Sequence, residues 1–262
     1  MFAITGITGQ VGGQVADELL AAGKPVRAVL RDKAKAWSWI ERGCEAAIAA
    51  MDDAGALAAA FDGVEAAFVL LPPVFDPTPG FVESRRNIAA ISAALRAARV
   101  PRVVVLSTIG ADAAPENLLT QLQLLEQALA DLPAAVSFLQ PVERRVAMVA
   151  TADVAHAAAA LLQEASEGHR VVELEGPARV SPADLARALG QALGRDVVAQ
   201  PVPRAEWEAL FRAQGMTNPM PRMRMLDGFN EGWIDFDPAS PRLRRGETSL
   251  QQVVDGLVNA GR

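Results

Sequence analysis

The chain has 262 residues, 51% hydrophobic and 21% charged, with a net charge of −6. That composition belongs to a globular domain with ample chain for a core, and it excludes disordered, collagenous and repeat classes. The acidic balance argues against direct contact with nucleic acid, whose binders carry a basic stripe, and the apolar runs, such as Val64–Leu71, are too short to span a membrane. The N-terminus reads as neither a basic leader nor a cleavage site, and a single cysteine, Cys44, fits a reducing cytoplasm, the expected location.

Phe2–Thr5 is a short apolar strand running into Gly6, and Gln14–Ala22 has helical periodicity ending at Gly23. Pro25–Arg31 reads as a second strand, Lys33–Arg42 as a helix, Ala46–Ala49 as a third strand and Gly55–Phe61 as a helix. Val64–Leu71 is a buried-type strand stopped by Pro72 and Pro73, which have no N–H to donate to a ladder. Phe81–Arg99 is helical and Arg102–Ser107 is a further strand. This alternation predicts a doubly wound α/β fold with a parallel sheet.

Beyond residue 150, Thr151–Gln163 reads as a helix and Val171–Glu175 as a strand. Ser181, Pro182 and Asp184 form a helix start expected to run to Leu193. Val197–Val202 reads as a strand, Arg204–Ala213 as a helix and Ser249–Asn259 as a final helix, while Met216–Asp237 lacks a clean period and suits a mobile loop or a wall over a ligand. The expected division is a dinucleotide-binding domain over residues 1–150, then residues 151–262 as a helix returning to that core plus a small C-terminal α/β lobe.

Chemistry concentrates at Thr5-Gly6-Ile7-Thr8-Gly9-Gln10-Val11-Gly12, a G-x-x-G-x-x-G pattern between the first strand and first helix. Gly6 would allow the sharp turn, Gly9 the close approach of a pyrophosphate, and Gly12 close packing of helix on strand; Thr8 lies within the loop. The N–H groups of Gln10, Val11 and Gly12 would face the phosphates. This context predicts a Rossmann-type dinucleotide site. Arg31, the first polar residue after the second strand, favours the 2′-phosphate of NADP(H), with Lys33 and Lys35 close behind; Asp32 keeps NAD(H) open, because a different turn would let it meet a 2′-hydroxyl.

With two histidines and one cysteine, a histidine triad or cysteine-rich metal site is not expected, and no metal ligands are assigned. Cys44, after Gly43 at a helix-to-strand junction, reads as packing.

The segments TGITGQVG, VLRD, MDDAGALAAAFDGVEAAFVLLPP, LSTIGAD, and VATADVAHAAAALL followed by VVELEGP together resemble the NmrA-like group of atypical short-chain dehydrogenase/reductases, which includes NADPH-dependent type 2 quinone oxidoreductases. The resemblance implies that Met51 and Asp52 flank the adenine, that Leu71, Pro72 and Pro73 follow the ribose and phosphates, and that Ser107, Thr108 and Ile109 approach the nicotinamide end. It also exposes two departures. The Tyr-x-x-x-Lys pair of the wider superfamily is absent, since the chain has no tyrosine, and the helix around Gln123 offers leucine where atypical members often keep lysine or histidine. Gln123 remains a candidate partner for a ribose hydroxyl. In addition, roughly 25 to 30 residues of the usual layout are missing between Ala135 and Val149, through either a deletion or a loop absent from the sequence between two joined stretches, the second being favoured.

The expected function is hydride transfer from NADPH to a quinone or similar electron-poor acceptor, which needs less acid assistance than a ketone. The alternative is a non-catalytic NADP(H)-sensing regulator acting through a protein partner; a sugar epimerase is weakened by the absent tyrosine. The acceptor pocket is expected between Ser107–Ile109 and Met216–Trp233, where Met223, Met225, Phe229 and Trp233 offer adaptable and aromatic surface. The other reading of these four residues is that they form the small lobe's own core.

Overall fold

The structure, a computed structural model, describes residues 1–111, 116–121, 145–164, 168–194, 197, 199 and 202–260. Five parallel strands alternate with helices through the first half: β1 (Phe2–Ile4), α1 (Gln10–Ala21), β2 (Val26–Leu30), α2 (Ala36–Glu41), β3 (Glu45–Ile48), α3 (Ala54–Phe61), β4 (Ala66–Leu70), α4 (Val82–Ala97) and β5 (Val103–Leu106). A 3₁₀ turn at Lys33–Lys35 leads into α2. The strand order is β3-β2-β1-β4-β5. β1 pairs with β2 on one side (Ile4 opposite Ala28) and β4 on the other (Ile4 opposite Phe68), so the order reverses there. Ligands of such sheets lie beyond the carboxyl ends of the strands at that reversal.

Strand alternation distributes the core over both faces of the sheet. Ala67 and Val69 of β4 pack with Leu57, Phe61, Ile91 and Leu95 of α3 and α4. Ala66 and Phe68 face the other way, onto Val15, Ala16 and Leu19 of α1 and Ala155, Ala158 and Leu162 of α5 (Thr151–Gln163). α5 therefore lies in the helical layer of the amino-terminal sheet. Cys44 is buried in this second cluster, and burial pushes its thiol pKa up against the lowering influence of Arg42, which makes it inert packing.

The second half contains β6 (Glu173–Glu175), α6 (Pro182–Leu193), α7 (Trp207–Ala213), α8 (Met220–Glu231), β7 (Leu243–Arg245) and α9 (Leu250–Ala260). β6 and β7 pair in parallel as a separate small sheet. α6 starts as its sequence demands. Ser181 Oγ accepts from the Asp184 N–H at 3.1 Å, the Asp184 carboxylate accepts from the Ser181 N–H at 3.0 Å, Pro182 occupies the first turn, and Gly194 closes the helix at φ 64°.

Four segments differ from the sequence expectation. Helix α1 begins at Gln10, four residues before Gln14, because Gly12 and Gly13 are tolerated where the helix must run close to the preceding loop. Met216–Asp237 is not a loop; it contains α8, entered through Pro219 and Pro221 and ended by Gly232 at φ 89°. Its apolar spacing is irregular because the helix fills two clusters, Met223 with Phe211 and Met216, and Met225 and Phe229 with Ile109, Leu118 and Ile234. The short strand β7 was not anticipated. Of Val197–Val202, the described positions 197, 199 and 202 are not in a strand and the others lie outside the described residues. No helix among the described residues is long and apolar enough to cross a membrane.

Candidate dinucleotide and acceptor site

Thr5, wholly buried at the end of β1, fastens the loop that follows. Its hydroxyl donates to the Phe68 carbonyl at 3.1 Å and accepts from the Leu70 N–H at 3.0 Å, locking β1 to β4 at the reversal point. The chain then turns at Gly6, whose φ of 61° suits glycine, and the Gly9 N–H closes the loop on the Gly6 carbonyl at 2.9 Å. Gly12 makes the tightest approach. A Cβ there would stand 2.5 Å from the Gly6 carbonyl oxygen, so only glycine lets α1 begin against this loop. At Gly9 a Cβ would meet the same oxygen at 3.2 Å, and Thr8, Gly9 and Gln10 are exposed.

The N-terminus of α1 has no side-chain cap and no acidic residue in its first turn. Its leading N–H groups, from Gln10, Val11 and Gly12, lack intrahelical acceptors by helix geometry and carry the positive end of the macrodipole. An exposed glycine loop feeding such a helix fits a diphosphate.

The remaining sequence-nominated cofactor residues stand in a row along the carboxyl edge of the sheet. Met51 and Asp52 follow β3, Arg31 follows β2, the glycine loop follows β1, Leu71–Pro73 follow β4, and Ser107–Ile109 follow β5. Asp52 is ion-paired with Arg86 at 2.7 Å, and Leu71 is buried while Pro73 is exposed. Asp32 is committed locally, since its carboxylate accepts from the Ala34 N–H at 2.9 Å and caps the 3₁₀ turn. Arg31 is exposed and has no hydrogen-bond or ion-pair partner among the described residues. At the opposite end of the row Ser107 is buried, and its Oγ is without a hydrogen-bond partner among the described residues. A buried hydroxyl in that state could bond a polar group of a ligand.

The loop after β5 is packed by the small lobe. Gly110, at φ 74°, approaches Ile234 so closely that a Cβ would lie 2.5 Å from its Cγ2, and Ile109 shares a buried cluster with Met225, Phe229 and Ile234. Among the sequence-nominated acceptor residues, Met223 and Phe229 are buried inside the lobe and Trp233 is half-buried with its indole N–H donating to Glu231 at 2.9 Å. Gln123 lies outside the described residues, as does most of the Ala135–Val149 stretch. Sequence reasoning passed over Asp76 and Gln121, whose contacts join segments far apart in the chain, and no local motif marks either one.

A parallel sheet in the order 3-2-1-4-5, with a glycine loop leading into an uncapped helix at its reversal point, defines a Rossmann-type dinucleotide-binding protein. The chain belongs to the NAD(P)H-binding family, whose model matches residues 6–194. It is 29% identical to quinone oxidoreductase 2 of Escherichia coli K12, covering 99% of each chain, and 28% identical to the NAD(P)H azoreductase of Xenophilus azovorans, covering 75% of each. The crystal structure of the E. coli NADPH-dependent quinone oxidoreductase QOR2 complexed with NADPH superposes with a TM-score of 0.78 at 25% identity, covering 98% of this chain and 99% of that one. These similarities agree with the NmrA-like resemblance read from the sequence. The first alignment runs over 291 positions against a chain of 262 residues, so the chain is shorter than the shared layout.

Proposed function

We propose that this protein is an NADPH-dependent oxidoreductase that delivers hydride to a quinone or a similar electron-poor, flat acceptor. The observation that carries the cofactor half is the division of labour at the end of β2, where Asp32 caps the 3₁₀ turn through one carboxylate oxygen and Arg31 is left as an exposed cation. A carboxylate so engaged is poorly placed to accept from the 2′-hydroxyl that distinguishes NAD(H), whereas a free guanidinium suits a 2′-phosphate through charge-assisted bonds. The glycine loop and α1 would hold the diphosphate, and Ser107 would offer its hydroxyl to the nicotinamide end. When bound, the cofactor supplies the hydride.

The acceptor half rests on what surrounds Ser107–Ile109. Ile109 and Ile234 present an apolar environment there, and the chain has no tyrosine to pass a proton to a carbonyl. Such a site favours an acceptor that takes hydride readily and is then protonated from solvent, so the protein's contribution is placement of the two reactants. The names of the relatives, a quinone oxidoreductase and an azoreductase, support reduction of conjugated electron-poor acceptors over the redox-sensing regulator. The test is NADPH oxidation followed by absorbance with a panel of quinones and an azo dye, with cofactor binding titrated on the same sample. Turnover with at least one acceptor is expected; tight NADPH binding without turnover on any of them would overturn the enzyme reading in favour of the regulator.

A further inference from the structure

The connection between β4 and α4 leaves the sheet at Leu71–Pro73, in the middle of the cofactor edge, and reaches α4 through a strained residue. Phe81 is buried with φ 57° and ψ 44°, a left-handed conformation that a phenylalanine holds only where its surroundings fix it. Arg85 Nε donates to the Gly80 carbonyl at 2.7 Å, and Thr78 bonds the Glu83 carboxylate, so this end of the connection is anchored to its own helix.

The other end is anchored to the small lobe. One carboxylate collects three donors from a single point of that lobe: Asp76 Oδ2 accepts from the Thr217 N–H and the Thr217 hydroxyl at 2.7 Å each, and Oδ1 accepts from the Asn218 N–H at 2.5 Å. Asn218 returns a bond, its side-chain amide donating to the Pro77 carbonyl at 2.8 Å. The Thr217 backbone N–H, then its hydroxyl, hold the Asp76 carboxyl below the ordinary carboxylate range, with Arg212 adding charge attraction. Two residues further on, α8 begins, and it carries the Met225 and Phe229 that pack against Ile109 and Ile234 beside the nicotinamide end. Thr217 and Asn218 thus tie the cofactor loop to the helix that backs the acceptor side.

We propose that Asp76 is a positioning residue that clamps the loop after β4 to the base of α8, so that seating the dinucleotide along Leu71–Pro73 sets the acceptor wall. The inference rests on the proposed placement of cofactor and acceptor. It requires no contact between Asp76 and either of them. The carboxylate suits the task because all three partners are donors. An amide in its place would turn an N–H toward at least one donor and lose part of the array. Loss of such coupling weakens acceptor binding to the NADPH complex and, by reciprocity, NADPH binding to the acceptor complex, while NADPH binding to the acceptor-free protein is left nearly alone.

The test compares the full chain with Asp76→Asn by hydrogen exchange with and without NADPH, alongside quinone kinetics. In the unmodified protein NADPH should slow exchange in 71–81 and also in 216–231. In Asp76→Asn the protection should stop at the first segment, quinone KM should rise about 5- to 30-fold, and the NADPH dissociation constant measured without acceptor should change less than about twofold. Thr217→Val, which keeps the carboxylate and two of its three donors, should move the same way by a smaller amount and serves if Asp76→Asn does not fold. Protection that reaches 216–231 equally in the variants, or that never reaches it in the unmodified protein, would overturn the clamp, as would KM and NADPH affinity weakening together with thermal stability. If the unmodified protein reduces no quinone, the acceptor reading fails by itself while the exchange comparison still decides the clamp.

Discussion

Gly12 sits over Gly6 so closely that any side chain on it would run into the backbone of the turn, at 2.5 Å from the carbonyl oxygen and 2.7 Å from the carbonyl carbon. Neither atom belongs to a flexible side chain, so relief requires α1 to move off β1. Gly12→Ala should therefore cost about 2 to 3 kcal/mol of stability, within the range for overpacked cores, read as a lower urea midpoint. Gly9→Val separates folding from binding. Gly9 is exposed, its backbone is extended (φ −94°, ψ 172°) and a Cβ there would have 3.2 Å to the same oxygen, so the fold should survive while the branched side chain blocks the diphosphate. A folded Gly9→Val protein that still binds NADPH would remove the glycine loop from the site.

At the end of β2 the expected outcome is a preference that can be inverted. Arg31 should make charge-assisted bonds to a 2′-phosphate worth roughly 1.5 to 3 kcal/mol, so NADPH should bind about 10- to 100-fold more tightly than NADH. Arg31→Asp should narrow or reverse that ratio without affecting folding, because Arg31 has no partner among the described residues to lose. Equal calorimetric affinities for the two cofactors in the unmodified protein would remove Arg31 from recognition.

The parts of this architecture legible in sequence are those set by local chemistry. Glycines at 6, 9 and 12, prolines at 72 and 73, and the Ser181–Asp184 cap each act within a few residues, and the structure uses each as a turn, strand end or helix start. Helix α8 was illegible because Met223 packs in one cluster and Met225 and Phe229 in another, which smears the helical period. β7 was illegible for a different reason: Leu243, Arg244 and Arg245 form a three-residue strand on a two-stranded sheet, half-buried at one position and exposed at two. Asp76 could not be found at all, since its partners are 141 and 142 residues away and Asp-Pro reads as an ordinary turn.

The small sheet is held by a buried carboxylate. Glu175, 2% exposed, accepts from Arg179 Nε at 3.1 Å and from Arg245 at 3.0 and 2.8 Å, and Arg179 also reaches Asp235 at 2.8 Å. Glu175→Gln removes the shared anion, leaving Arg179 with Asp235 and Arg245 without its carboxylate partner. The expected loss is about 2 to 3 kcal/mol, less than for a fully buried pair because Arg245 is 59% exposed and regains water. Arg245→Gln should cost under about 1 kcal/mol, since Arg179 still neutralises Glu175. Equal losses in the two variants would mean that the charge network is not what holds β6 to β7.

Asp184 makes stability depend on acid pH. Its hydrogen bond from Arg187, then the Ser181 N–H, then its remaining partners including Arg145, lower its pKa from 3.8 to about 2. A carboxylate depressed in the folded state contributes stability that is fully present above its unfolded pKa and lost as pH falls from about 4 toward 2. Because Arg145 and Arg187 are largely exposed and screened by water, the contribution should be about 1 kcal/mol instead of the full linkage value. Asp184→Asn should flatten the stability profile below pH 4; an unchanged acid slope would place the titration elsewhere.

The final expectation separates the two roles open to α8 and the turn that follows it. Phe229 is 1% exposed and packed with Ile109, Met225 and Ile234, so Phe229→Ala should cost about 3 to 5 kcal/mol as a core truncation, with any kinetic effect following from loss of folded protein. Trp233 is the cleaner probe. It is half-buried, rests against Gly228, where a Cβ would lie 2.7 Å from its Cη2, and holds its indole N–H on the exposed Glu231 carboxylate. Trp233→Phe keeps an aromatic face while removing the indole bond, and Trp233→Ala removes both. If the ring lines the acceptor pocket, Trp233→Ala should raise quinone KM about 10-fold with NADPH affinity unchanged, and Trp233→Phe should restore most of the loss. Should both variants fold and leave quinone KM where it was, the acceptor is not bounded by Trp233.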